Sequence, residues 1–118
     1  MLTHSRRTRS EEFTMHEVDT AALIQAWESG APVLDVREDY EYIQGHVPGA
    51  QLIPLPELSA RVSEVSPGET VYVICASGNR SKRGAEILES AGRPAVSVAG
   101  GTRAWVTAGR EVRRGPTA

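Results

Sequence analysis

Cysteine occurs once in this chain, at position 75. A single cysteine excludes an internal disulfide, and a lone free thiol fits a reducing, cytoplasmic setting in which thiols do chemistry. Aromatic residues make up 5% of the chain and no nucleic-acid recognition motif is visible, so no nucleic-acid partner is expected. No apolar run approaches the roughly 20 residues of a membrane-spanning helix, and no membrane association is expected. Arg6 and Arg7 form a twin arginine, yet Glu11 and Glu12 stand where a secretory leader would need an apolar stretch. The pair reads as incidental. No His, Cys or carboxylate cluster has metal-ligand spacing, and neither a metal nor another cofactor is expected. What is present, 40% hydrophobic and 24% charged residues, is ordinary for one soluble domain with a single core.

The formal charge of −2 conceals a division along the chain. Residues 15–74 carry ten acidic side chains against Arg37 and Arg61, a balance of −8. Residues 75–118 carry eight basic side chains against Glu86, Glu89 and Glu111, a balance of +5. The basic excess therefore begins at Cys75 and follows it. Steering of a small anionic substrate toward the thiol would account for this. Arginines on solvated helix faces would account for it equally well.

Residues 1–14 are rich in Ser, Thr, Arg and Glu and are expected to be a flexible arm preceding one domain over residues 15–118. A short strand is expected at 15–18, then a helix capped by Asp19 or Thr20 that buries Leu23, Ile24 and Trp27. Gly30 and Pro32 end it. Residues 33–36 read as a strand with Asp35 and Arg37 at its carboxyl end, and 38–45 as a short helix burying Tyr40 and Ile43. A Gly- and Pro-rich turn over 45–50 leads to a small strand at 51–53. A helix opened by Pro56 directs Leu58, Val62 and Val65 inward. Residues 66–69 form a turn, and the β-branched run 70–74 is a buried strand. Gly84, Ile87, Leu88 and Ala91 lie at helical spacing, and Gly92 closes that helix. Residues 95–98 form a further strand, and Gly100-Gly101 opens a last short helix carrying Trp105. Strands alternating with helices, without a hairpin signal, predict an α/β domain with a mainly parallel sheet and helices on both faces. Ligand sites in such sheets lie at the carboxyl ends of the strands, where Cys75 and the Asp35–Arg37 pair both fall.

The loop Ala76-Ser-Gly-Asn-Arg80-Ser81 separates the central strand from its helix. A thiol at that strand end faces the unpaired N–H groups and positive dipole of a helix N-terminus, with Arg80 adding fixed charge. Such surroundings lower a thiol's pKa and hold an anion against the sulfur. Backbone amides from Ala76 to Ser81 can stabilise the thiolate without a general base, and Gly78 permits the tight ring. Those amides, with Arg80, would also hold an oxyanion leaving group. Arg80 could instead brace the loop by pairing with an acidic neighbour. Asp35 and Arg37 read as structural, His46 as hydrogen-bonded scaffolding, and Trp105 as core.

Four motifs, Asp35-Val-Arg-Glu-Asp-Tyr-Glu, Gly45-His-Val-Pro-Gly-Ala, Cys75-Ala-Ser-Gly-Asn-Arg-Ser and Gly100-Gly-Thr-Arg-Ala-Trp105, occur in one order over residues 15–108. In that order and spacing the chain resembles the rhodanese-like sulfurtransferases. The resemblance implies a five-stranded parallel sheet flanked by helices and a persulfide on Cys75 during turnover. It implies a sulfurtransferase of the thiosulfate sulfurtransferase type, moving sulfane sulfur from thiosulfate or a persulfide to a thiol or cyanide. An acceptor protein is a further partner in this reading. Two positions depart from the family pattern: Ala76 stands where many members carry arginine, and Thr102 where an aliphatic residue is usual. The first removes one anion contact, and the second is expected to affect only packing. Two other classes remain: a non-enzymatic sulfur carrier or a redox or interaction module, and a cysteine-dependent phosphatase. The phosphatase relatives space Cys and Arg by five residues, whereas four separate Cys75 from Arg80, making a smaller cradle.

Overall fold

The computed structural model describes residues 16–118, so the expected arm over 1–14 lies outside the described residues. Five strands form one sheet: β1 (Glu17–Val18), β2 (Val33–Asp35), β3 (Gln51–Leu52), β4 (Val71–Ile74) and β5 (Ala95–Val98). Their order is β1-β5-β4-β2-β3, and every pairing is parallel. The helices are α1 (Thr20–Glu28), α2 (Asp39–Gln44), α3 (Leu55–Leu58), α4 (Asn79–Ser90) and α5 (Gly101–Thr107), with a 3-10 segment at Ser59–Glu64. Among the described residues no helix is long and apolar enough to cross a membrane.

Successive strand side chains point to opposite faces, and here both faces are covered, so the three inner strands are mainly apolar, with Asp35 and Ser97 as buried polar exceptions. On one face Leu34, Val71, Val73 and Cys75 pack with Leu58, Val65, Ala85 and Leu88 from α3, the segment after it and α4. On the other, Val33, Ile74 and Val98 pack with Leu23, Tyr42 and Trp105 from α1, α2 and α5. The sheet is thus the middle of three layers, and β4 lies at its centre between β5 and β2. Asp19 caps α1 as expected, its Oδ1 accepting from the Ala22 amide at 3.0 Å.

Three details differ from expectation. In α2 the buried residue is Tyr42, while Tyr40 and Ile43 are 63% and 43% exposed. The Tyr42 hydroxyl donates to the Ala50 carbonyl and its ring stacks on His46 with centroids 3.6 Å apart, which fixes the helix rotation. Tyr40, two residues away, is then about 200° around the axis and faces water. The helix opened near Pro56 is one α-turn that continues as 3-10, kinked at Arg61 (φ −120°). Arg61 bridges Glu57 at 2.7 Å and Glu64 at 2.9 Å across that kink, while Leu58 and Val65 still reach the core. On α4 the inward face is Ser81, Gly84, Ala85 and Leu88, with Ile87 half-buried and Ala91 exposed.

Candidate active site

Cys75 follows directly on β4, the central strand, and is 1% exposed. The loop after it divides its backbone groups between two helices. Its carbonyls turn toward α5: Cys75 O accepts from the Thr102 amide at 2.8 Å and the Thr102 hydroxyl at 3.1 Å, and Ala76 O accepts from the Arg103 amide at 3.1 Å. Its amides turn toward the sulfur, with Gly78 N–H 3.2 Å and Ser81 N–H 3.3 Å from Cys75 Sγ. Two glycines make this possible. Gly78 has φ +115°, a left-handed conformation costly for other residues. Gly101, at φ +56°, lies so near that a Cβ there would come within 2.4 Å of Cys75 O.

A second row of hydroxyls stands behind the thiol. Ser81 Oγ accepts from the Cys75 thiol at 3.5 Å, donates to Gly78 O at 3.1 Å and lies 2.8 Å from Ser97 Oγ. Both serines are fully or almost fully buried. Burial pushes the Cys75 pKa up, but the Ser81 hydroxyl and the amides of Ser81, Gly78 and Ser77 outweigh it, and the net shift is downward. The amides belong to the N-terminal end of the twelve-residue α4, where backbone N–H groups favour an anion.

The other residues singled out in the sequence take varied places. Ala76 is half-buried, while Ser77 and Asn79 are exposed at the rim of the loop. Arg80 gives both arms to Glu41, with Nη1–Oε1 2.7 Å and Nη2–Oε2 2.9 Å. That contact with Arg80 holds the Glu41 carboxyl well below its ordinary range, at about 2. Asp35 and Arg37 form a buried bidentate pair, Nε–Oδ1 2.9 Å and Nη2–Oδ2 2.8 Å, and Arg37 also donates to Gly45 O at 2.9 Å. The pair ties the end of β2 to the end of α2. His46 is buried with ring nitrogens 2.8 Å from the carbonyls of Tyr42 and Thr117. Trp105 packs edge-on to Trp27 in the core, and its Nε1–H donates to Glu111 O at 2.8 Å.

Beside Ala76 an open hollow of about 320 Å³ is lined by Arg37, Ala76, Thr102, Arg103, Val106 and Thr107. Sequence reasoning missed Glu41, Ser97 and Arg103, and it gave Thr102 only a packing role. The Thr102 hydroxyl in fact holds the Cys75 carbonyl. One signal was available for Ser97: a lone hydroxyl residue inside the apolar strand Ala95–Val98 needs a buried partner. Glu41 offered none, because its partner lies 39 residues away.

A lone buried thiol under inward-facing amides thus stands at the end of the middle strand of an all-parallel α/β sheet. Residues 19–108 match the Rhodanese-like domain, and the chain belongs to that family. It is 40% identical over 72 residues to the thiosulfate sulfurtransferase PspE of Escherichia coli, covering 59% of this chain and 69% of that protein. It is 39% identical over 74 residues to YrkF of Bacillus subtilis, provisionally named a sulfur carrier protein, covering 62% of this chain. The match spans only 40% of YrkF's length. The crystal structure of a rhodanese-related protein from Thermoplasma volcanium superposes with a TM-score of 0.78 at 34% identity, covering 83% of this chain and 97% of that one.

Proposed function

We propose that the protein is a sulfurtransferase that carries sulfane sulfur as a persulfide on Cys75. The observation that carries this reading is the pair of amides, Gly78 and Ser81, aimed at Sγ. In the first half-reaction the Cys75 thiolate attacks the outer sulfur of a donor such as thiosulfate. An S–S bond forms to Cys75 as the donor's S–S bond breaks, and sulfite leaves with the electron pair. In the second, a thiolate or cyanide attacks the outer sulfur of the persulfide and the Cys75 thiolate departs. The Cys75 thiolate that opens the first step and departs in the second holds its charge where the amides of Ser77, Gly78 and Ser81 converge, and fixed dipoles in a dry site stabilise it without reorganisation. The loop from Ala76 to Ser81, Asn79 included, forms the cradle for the second sulfur. Arg80, with both arms on Glu41, braces the loop in this reading, and Asp35–Arg37 supports it from β2.

The test is mass spectrometry of the intact protein after exposure to thiosulfate. One added sulfur on Cys75, removed by cyanide and absent in Cys75→Ser, is the expected result. A protein that gains no sulfur would overturn the assignment. The likeness to YrkF favours a second reading, a carrier that passes sulfur once to a specific acceptor protein. Negligible turnover with small acceptors, alongside stoichiometric loading, would select it. The Arg80–Glu41 pair weighs against a phosphatase, since the arginine that would grip a phosphate is already held.

A further inference from the structure

Three arginines stand around the Cys75 loop, and two of them are neutralised. Arg37 is chelated by Asp35 and Arg80 by Glu41, so neither has net charge to offer a ligand. Arg103 forms no ion pair among the described residues. Its main chain is fixed on the loop, because its amide donates to Ala76 O, one residue beyond the cysteine. The exposed Arg103 is one of the residues lining the hollow beside Ala76, where a small methyl leaves the space open. An arginine without an ion-pair partner among the described residues, fixed by its amide to the residue after the cysteine and lining a concave surface there, is suited to a planar or tetrahedral oxyanion.

We propose that this hollow is an oxyanion subsite and that Arg103 is its recognition residue. It takes the sulfonate end of a sulfur donor or the carboxylate of an acceptor thiol while the reacting sulfur meets Cys75. The identity of the oxyanion rests on the sulfur-transfer reading; the existence of the subsite does not. Arg103 thus replaces Arg80 as the charge that selects anionic reagents. Thr102 contributes indirectly, since its hydroxyl holds the Cys75 carbonyl and keeps the loop against α5.

The subsite can be tested without any sulfur chemistry. Iodoacetate and iodoacetamide alkylate the same thiolate but differ by one carboxylate, so the ratio of their rates on Cys75 measures anion recognition. Arg103→Gln is expected to lower that ratio about tenfold, the low end for a charge-assisted contact at an open site. Arg103→Lys should restore part of it. An unchanged ratio in Arg103→Gln, or an equal fall with both reagents, overturns the proposal. Two further arms separate the sources of the oxyanion. A slower loading of Cys75 by thiosulfate in Arg103→Gln assigns the subsite to the donor. A slower discharge of the loaded persulfide by 3-mercaptopropionate, with 2-mercaptoethanol unaffected, assigns it to the acceptor. If neither rate changes, the subsite has no part in sulfur transfer and this proposal falls. If wild-type Cys75 takes up no sulfur while the alkylation ratio still responds, the sulfur-transfer reading fails and the anion site stands.

Discussion

Replacing Ser81 with alanine removes one hydroxyl from the sulfur and leaves its backbone amide in place. With the thiol protonated that oxygen accepts from Sγ at 3.5 Å and donates to Gly78 O; on ionisation its proton can turn to the sulfur, beside the amides of Gly78 at 3.2 Å and Ser81 at 3.3 Å. Burial opposes ionisation, and these donors together reverse its effect. A hydrogen bond to a charged group contributes about 1.5–3 kcal/mol, and the long contact argues for the lower end. At 1.36 kcal/mol per unit, about 1.5 kcal/mol is a rise of about one pKa unit in Cys75. Below both pKa values the thiolate fraction, and with it the iodoacetamide rate, should therefore fall about tenfold, while the rate at high pH stays within about twofold. Cys75 is the only cysteine, so intact-mass alkylation profiles between pH 5 and pH 10 read it alone. A profile whose midpoint does not move would refute the reasoning. A uniform fall at every pH would assign Ser81 to packing rather than to charge stabilisation.

Three other perturbations probe the surrounding frame. Gly101→Ala places a methyl 2.4 Å from Cys75 O and 2.6 Å from Ala76 O at a positive φ; it should cost about 2–3 kcal/mol in urea unfolding and move the Cys75 midpoint up toward that of free cysteine. A variant that alkylates as wild type would show that the loop does not depend on this contact. Asp35→Ala leaves Arg37, 6% exposed, without its counter-charge, and should destabilise the fold by about 3–5 kcal/mol; a loss under about 1 kcal/mol would mean that water or the Gly45 carbonyl suffices. Glu41 is held by Arg80 at about 2 in the folded chain. Its stabilisation is therefore complete above its unfolded pKa, about 4.3, and is lost as pH falls from there toward 2. Because Arg80 is 37% exposed, water screens the pair and the contribution is about 1 kcal/mol. Glu41→Gln should flatten the acid limb of a stability-against-pH curve by that amount, and parallel limbs for the two proteins would contradict it.

Most of the architecture was legible because it rests on local pattern. Mainly apolar, Val-rich runs at 33–36, 70–74 and 95–98 read as strands, the middle one buried, and the turns between them carry Gly or Pro. The register of α2 was not legible. Tyr40, Tyr42 and Ile43 together span most of the circumference of a helix of one and a half turns, so spacing alone cannot choose the inward side. The choice was made by a distant partner, the Ala50 carbonyl that receives the Tyr42 hydroxyl. The same division runs through the site. The position of Cys75 at a strand end and the inward amides follow from strand, glycine and helix in succession. The fate of Arg80 depends on Glu41, which nothing near it in the sequence announces, and that Arg103 has no ion pair among the described residues is visible only once Arg37 and Arg80 have found their carboxylates.

The seating of the cysteine loop on α5 also limits what the scaffold can become. Because Thr102 and Arg103 grip the carbonyls of residues 75 and 76 while Gly101 touches them, the first half of the ring cannot swell outward. Any insertion meant to admit a bulkier tetrahedral group must be absorbed between Ser77 and Arg80, or else lift a whole helix off the sheet. The ring's diameter, and so the size of the atom it carries, is set by a neighbour more than twenty residues downstream.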